Sequence, residues 1–190
     1  MNVLAFIITT IALLGLAVFY VWYLNTYVST NLLNTAGYTA SLVSSALVHE
    51  FQNAISIASM GDVVGSFKYT LMLPTAAVPI QGMALNYYIT LYPKVGQVNG
   101  NHLVLLYANV TVTMTMGPIS RSVTSPPVPV YSSAQPYTII AYNCVNNNRP
   151  VTLVNPSWVS TGIPNPPRSC TWSSAQVQMG KAIIEVEKGS

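Results

Sequence analysis

An uninterrupted apolar segment at the start of the chain limits its fold more than any other feature. From Val3 to Leu24 the sequence reads VLAFIITTIALLGLAVFYVWYL, with 22 residues and no charge. As a helix it would extend about 33 Å, enough to cross the hydrocarbon core of a bilayer. Its far end is aromatic, as at a membrane interface, with Phe19, Tyr20, Trp22, Tyr23 and Tyr27. We therefore predict a helix that is inserted in a membrane at some stage of the protein's life.

Three interpretations of this segment compete. A cleavable secretory signal would carry a basic leading region, a shorter apolar core and a small-residue cleavage site, and the segment fits this description poorly. A permanent anchor usually has Lys or Arg near one membrane end, whereas the first basic residue here is Lys68. Removal of a basic leader that once preceded residue 1 would explain both the missing early positive charge and the immediate start of the apolar sequence.

The helical pattern continues beyond the apolar segment to about residue 60. Apolar residues recur there at steps of three and four, which predicts one buried face: Ala36, Ala40, Val43, Leu47, Phe51, Ala54 and Ala58. Gly61 and Asp62, followed by Gly65, provide a helix stop. The pattern predicts a nearly continuous helix of about 58 residues, an assembly helix over 1–60. A break within Asn31–Gly37 is the alternative, because Asn and Gly are poor helix formers.

After Gly65 the apolar period changes from 3.6 to 2, which indicates strands. We predict them at Phe67–Leu73, Met83–Leu91 (closed by Pro93), His102–Ala108, Asn109–Met116, Tyr137–Val145 and Lys181–Lys188. Gly96–Asn101 is rich in turn residues. Ten of the 13 prolines lie between Pro118 and Pro167, which predicts long surface loops there. The expected fold class is α+β, a long N-terminal hydrophobic helix followed by an antiparallel, Ig-like β-sandwich head over 61–190.

The charge content argues against enzymes and nucleic-acid binders. The chain has 7 Lys+Arg, 4 Asp+Glu and two His, so 6% of it is charged, against about 25% in soluble domains. His49 and Glu50 resemble the start of an HExxH zinc motif, but the second histidine position is Asn53. His102 stands alone, and there is neither a Gly-rich phosphate loop nor a GxSxG sequence. We predict no catalytic residues, no metal site and no cofactor.

Two features suggest an extracytoplasmic head. Cys144 and Cys170 are the only cysteines, and in an oxidising compartment we favour a disulfide over two buried free thiols. Asn109-Val110-Thr111 is an N-glycosylation sequon, although a chance match is about as frequent as a used site.

Together these features resemble mature archaeal type IV pilins. In that family an apolar N-terminal helix, exposed by removal of a short basic leader, continues amphipathically and ends in a β-sandwich head rich in Ser, Thr, Asn and Tyr. The matching parts are Val3–Leu24, Thr26–Met60 and Phe67–Lys188. Bacterial pilins carry a glutamate at the fifth mature position, and Ala5 fits the archaeal branch better.

The resemblance implies a structural subunit of an extracellular filament, inserted in the cytoplasmic membrane before assembly and used for surface adhesion. The implied partners are further copies of the chain and the membrane, with no nucleic acid. The resemblance places the helix-core assembly contacts at Ala5, Phe6, Thr9, Ala12, Leu13, Gly15, Leu16 and Phe19. Small residues among them permit close helix approach.

Other functions remain open from sequence. The subunit of an archaellum, the related motility filament, has the same organisation. A membrane-anchored sandwich that never polymerises, either stator-like or associated with a surface layer, is the second reading. A minor pilin or binding domain at a filament tip is the third. The sequence does not identify the adhesion target or the helical symmetry.

Overall fold

A computed structural model describes residues 3–60, 65–74, 83–98, 101–132, 137–164 and 168–188, with backbone only at 97, 98, 101 and 102. Its helices are α1 (Val3–Ser59), α2 (Trp158–Thr161) and α3 (Ser174–Gln178). Its strands are β1 (Ser66–Thr70), β2 (Met83–Val98), β3 (Asn101–Met116), β4 (Ile119–Thr124), β5 (Val128–Ser132), β6 (Tyr137–Tyr142), β7 (Val151–Val154), β8 (Cys170–Ser173) and β9 (Ile183–Lys188). The predicted α+β organisation, a long apolar helix followed by antiparallel sheets, is confirmed.

The strands form two antiparallel sheets. One has the order β1-β9-β6-β7, and the other has the order β4-β3-β2-β8, with β5 also paired to β3. Buried side chains of both sheets and of α1 belong to one hydrophobic cluster. This arrangement is compatible with a sandwich in which the helix supplies part of the core.

Helix α1 is continuous over 57 residues, about 86 Å. The predicted continuous helix is confirmed, and the alternative of a break within Asn31–Gly37 is wrong. Leu32 and Ala36 on either side of it are buried against the head, and the Asn31 amide donates to the Tyr27 carbonyl at 3.0 Å instead of opening the turn. Packing therefore outweighs weak local propensity. The expected stop at Gly61–Asp62 lies outside the described residues.

The apolar stripe on the second half of α1 is buried as predicted. All seven of its residues are at most 4% exposed, and Leu32 extends the stripe by one turn. The stripe packs on β3, β4, β5 and β9. Strands and helix thus form one core along almost half of α1.

The predicted strand bounds differ most from the observed ones at β2 and β3. Strand β2 continues through Pro93, which is opposite Leu106, and β3 is a single strand instead of the two predicted on either side of Ala108–Asn109. The other edge of β2 pairs with β8 only from Tyr88 to Leu91. Pro93 therefore lies where that edge has no partner strand, and its missing N–H donor is tolerated.

The proline-rich region, where we expect long surface loops framing the strand at Tyr137–Val145, also contains β4, β5, β7 and α2. Strands β4 and β5 pair one after the other with the same edge of β3, and Pro126 and Pro127 fall between them. Ser125 bridges this gap. The Val110 N–H donates to Ser125 Oγ at 3.0 Å, and the Ser125 N–H donates to the Val110 carbonyl at 2.8 Å. A side chain thus replaces one ladder acceptor where proline interrupts the edge.

Candidate assembly surface on the projecting helix

The first part of α1, Val3–Tyr27, projects from the head, and we call it the projecting segment. Every side chain in it is exposed. Burial begins with Val28 and Ser29, which are half-buried, and is complete at Leu32. The projecting segment is long and apolar enough to cross a membrane.

The exposed apolar surface is too large to remain in water. Sixteen exposed side chains between Val3 and Leu24 are large and apolar or aromatic. Covering such a side chain is favourable by about 1.5 kcal/mol or more, or about 25 kcal/mol for the set. That exceeds the roughly 5–15 kcal/mol by which a domain is stable. Covering this segment with lipid or with other protein is therefore strongly favourable.

The polar groups of the projecting segment are satisfied within the helix. Thr9 Oγ1 donates to the Ala5 carbonyl at 2.7 Å and Thr10 Oγ1 to the Phe6 carbonyl at 2.9 Å. Thr26 Oγ1 donates to the Trp22 carbonyl at 3.0 Å. These threonines therefore bring no unpaired hydroxyl donor into an apolar environment.

All eight predicted assembly residues lie on the projecting segment and are exposed. Ala5, Thr9 and Ala12 are spaced by four and three residues and so share one helix face. Gly15 follows Ala12 by three residues, and a Cβ added at Gly15 would meet nothing within 4 Å. A glycine in a helix interior costs about 0.5–1 kcal/mol relative to alanine. No described atom of the same chain therefore takes up the space that the missing side chain of Gly15 leaves open.

The boundary between the projecting segment and the head is apolar and aromatic. A groove of about 230 Å³ lies there, lined by Tyr27, Val28, Asn31, Leu32, Thr35, Met83 and Met116. Just before it, the Phe19 and Trp22 rings are 5.9 Å apart and the Tyr23 and Tyr27 rings are stacked at 6.3 Å. The aromatic end predicted from sequence therefore directly adjoins the head at Met83 and Met116. We call this end of the head, around Met83 and Met116, the base of the head.

A charged contact at this boundary could not be found from sequence. Arg121, on β4, donates from Nη2 to Ser29 Oγ on α1 at 3.0 Å and from Nη1 to the Ser120 carbonyl at 3.0 Å. Arg121 is 92 residues from Ser29 along the chain. Only the pairing of β4 with β3 brings its guanidinium to the base of the head.

The only charged residue on α1 is fully engaged by the head. Glu50 Oε2 accepts from the Met72 N–H at 2.9 Å and from the Tyr69 hydroxyl at 3.1 Å. Burial and this contact raise the pKa of Tyr69. The outward face of this part of α1 mixes polar and apolar side chains, with exposed Asn34, Ser41, Ser45, His49, Gln52 and Ser56 beside exposed Leu33, Tyr38, Leu42 and Ile57. Within the described residues, no three His, Cys, Asp or Glu side chains are grouped to hold a metal ion.

Cys144 and Cys170 form a disulfide. It joins the segment after β6 to the first residue of β8, and so connects the two sheets. Beside it, buried Trp172 donates from Nε1 to the Tyr142 carbonyl at 2.7 Å. The Val145 N–H donates to the Thr171 carbonyl at 2.7 Å. The disulfide therefore belongs to a well-bonded junction in the head.

The predicted glycosylation site lies within a strand. Asn109 is in the middle of β3, opposite Thr90 of β2, and is half-buried. Its Oδ1 atom is buried and has no hydrogen-bond partner among the described residues. Glycosylation of Asn109 stays a prediction. The side chain of His102, which stands alone in the sequence, lies outside the described part of the structure.

No protein-family model, curated protein or solved structure matches this chain.

Proposed function

We propose that this protein is the structural subunit of an extracellular type IV pilus-like filament and polymerises through the projecting segment of α1. The observation that carries the proposal is the 57-residue helix whose first half is apolar on all sides, uncharged and exposed at every side chain. Its second half is part of a folded head. Such a chain has a packed head at one end. At the other end it has a helix that requires an apolar environment from outside the chain.

Before assembly the bilayer is that environment. The segment Val3–Leu24 extends about 33 Å, which matches a hydrocarbon core of about 30 Å. The threonine hydroxyls donate within the helix, and the aromatic residues lie at the interface. The head is then outside the membrane, where its disulfide is stable.

In the filament, neighbouring projecting segments replace the lipid. Exchanging lipid for protein costs little hydrophobic free energy, so close packing has to favour assembly. Ala5, Thr9, Ala12 and Gly15 allow this close approach. An unpaired charge buried there would cost several kcal/mol, and the segment carries none. The heads would cover this core and present outer loops for surface adhesion.

The second candidate is a membrane-anchored head that does not polymerise. It is favoured by the same exposed apolar segment, because lipid alone can cover it. The small-residue face and Gly15 favour the filament, since lipid requires neither. An archaellum subunit would share all these features and differ only in use.

The test is to shear surface appendages from the source cells and to examine them by electron microscopy and intact-mass spectrometry. We expect filaments whose subunit mass equals this chain less two hydrogens, plus any glycan. Recovery of the chain only in the membrane fraction, as single copies, would reject polymerisation and leave the anchor.

A matched pair of variants tests the assembly face. Ala12→Phe places a large ring on the face shared with Ala5 and Thr9, and Leu14→Phe places the same ring on the opposite face. Both remain apolar, so both should insert in the membrane. We expect filament yield to fall at least about tenfold for Ala12→Phe, since about 1.4 kcal/mol lost per contact suffices for this, and to fall much less for Leu14→Phe. Equal yields for the two variants would exclude this face as the contact.

A further inference from the structure

Arg121 is positioned to contact the membrane surface. We propose that, while the projecting segment spans the bilayer, the Arg121 guanidinium binds a phospholipid phosphate and fixes the base of the head on the membrane. The inference depends on the membrane-inserted stage of the proposed function, but not on polymerisation. The occupant is the phosphodiester of a bilayer lipid.

The depth of Arg121 follows from its contact with α1. Its Nη2 atom is 3.0 Å from Ser29 Oγ. Ser29 comes five residues after Leu24, the end of the apolar segment, so it lies about 7.5 Å further along the helix axis. A bilayer is about 40–45 Å thick with a hydrocarbon core of about 30 Å, which leaves about 5–8 Å for each headgroup layer. The guanidinium is therefore at the level of the lipid phosphates.

Arg121 also has donors left for a phosphate. A guanidinium carries five N–H donors, and two of them are used, by Ser29 Oγ and by the Ser120 carbonyl. The other three have no partner among the described residues, and the side chain is exposed. The two existing hydrogen bonds hold the planar group in place. This preorganisation suits bidentate binding of phosphate oxygens.

No described carboxylate competes for Arg121 at this depth. Glu50 is 26 residues beyond Leu24, about 39 Å along the axis. Glu185 and Glu187 are on β9, which pairs with β1, the strand that follows the far end of α1. The arginine is therefore available to an anionic ligand from the membrane.

Apolar side chains lie two residues from Arg121 along β4, as expected near a surface that touches lipid. Met116, opposite Ile119 at the start of β4, is 38% exposed. The groove at the base of the head continues this surface through Met83 and Tyr27. A long side chain whose stem crosses apolar surface and whose head reaches phosphate is the usual arrangement of arginine at a membrane interface.

The experiment measures the distance from arginine Cζ to lipid phosphorus by 13C–31P dephasing in solid-state NMR. The full chain, labelled with 13C at arginine Cζ, is reconstituted into bilayers of phosphatidylcholine and phosphatidylglycerol. A guanidinium hydrogen-bonded to a phosphate has Cζ about 4 Å from phosphorus. We expect dephasing of one of the three arginine signals, its disappearance in Arg121→Lys and its retention in Arg149→Lys.

Arg168 is an internal control. It comes two residues before Cys170, which pairs with Leu91 of β2. Leu91 is eight residues along β2 from Met83 at the base of the head, a distance of about 27 Å. Dephasing only of Arg149 or Arg168, or of no arginine, would overturn the inference. So would dephasing of Arg121 by inorganic phosphate in phosphorus-free micelles without dephasing in bilayers.

Alkaline extraction of the same proteoliposomes separates the two failures. A chain that is extracted was not inserted, which rejects both the membrane stage of the proposed function and the Arg121 contact. A chain that resists extraction but shows no dephasing rejects the Arg121 contact alone.

Discussion

Replacing Phe51 by alanine tests whether the second half of α1 is structurally part of the head. Phe51 is 0% exposed and lies on the buried stripe between Leu47 and Ala54, which are also 0% exposed. Strands packed on the stripe are held by their ladders and cannot collapse into the space of a lost ring. We therefore expect Phe51→Ala to lower the free energy of unfolding by about 4 kcal/mol, within the usual 3–5 for such changes.

The assay is thermal unfolding of the full chain in detergent micelles, followed by near-ultraviolet circular dichroism of buried aromatic residues such as Trp172. For a chain of this size about 4 kcal/mol corresponds to a decrease in Tm of roughly 8–16 °C. Gln52→Ala is the matched control, because Gln52 is the next residue and is exposed. It should change stability by less than about 0.5 kcal/mol. A Phe51→Ala chain as stable as the control would show that the helix only lies against the head.

Three further predictions concern the head. Reduction of Cys144–Cys170, which are separated by 26 residues, should cost about 3.5 kcal/mol by loop entropy and lower the urea midpoint. Ser125→Ala should cost about 1–3 kcal/mol in the same urea assay, because the buried Val110 N–H loses its acceptor. The Tyr142 hydroxyl donates to Glu185 and lowers the pKa of that carboxyl. Stability from Glu185 is therefore present above its unfolded pKa of about 4.3 and lost as pH falls through the lower folded value; carboxyl 13C titration should show the pKa rising in Tyr142→Phe.

Each of these predictions has its own control. A Cys144→Ser, Cys170→Ser double variant should have the same urea midpoint as the reduced chain, and adding reductant should not change it. An unchanged urea midpoint after reduction of the disulfide would contradict a stabilisation by loop entropy. Ser122→Ala, on the exposed face of β4, should leave stability nearly unchanged. A carboxyl of Glu185 that titrates identically with and without the Tyr142 hydroxyl would contradict the stated cause of its lowered pKa.

The helix could be predicted almost completely because its signals are local. The continuous apolar run of Val3–Leu24 and the three-to-four spacing from Ala36 to Ala58 specify a helix and its buried face. The alternative of a break within Asn31–Gly37 rests on propensity alone, and it fails because Leu32 and Ala36 are buried. A few tenths of a kcal/mol per residue of propensity are small against the burial of a leucine.

The strand errors have a different origin. Pro93 looks like a strand end in sequence, and only the limited extent of β8 shows that it can lie within β2. Pro126 and Pro127 lie outside strands, as expected, but only the structure shows that β4 and β5 pair with β3 on either side of them and that Ser125 bonds Val110 in between. In both cases the decisive fact is which edge of a strand has a partner.

The sequence by itself determined that this protein has an apolar, uncharged helix that water cannot solvate, since hydrophobicity and period are properties of consecutive residues. It also supplied the small residues on one helix face and the two cysteines. Only the tertiary structure placed Arg121 beside Ser29, at the boundary between the projecting segment and the head. Strand pairing joins residues far apart in the chain, and no local pattern records which of them will meet.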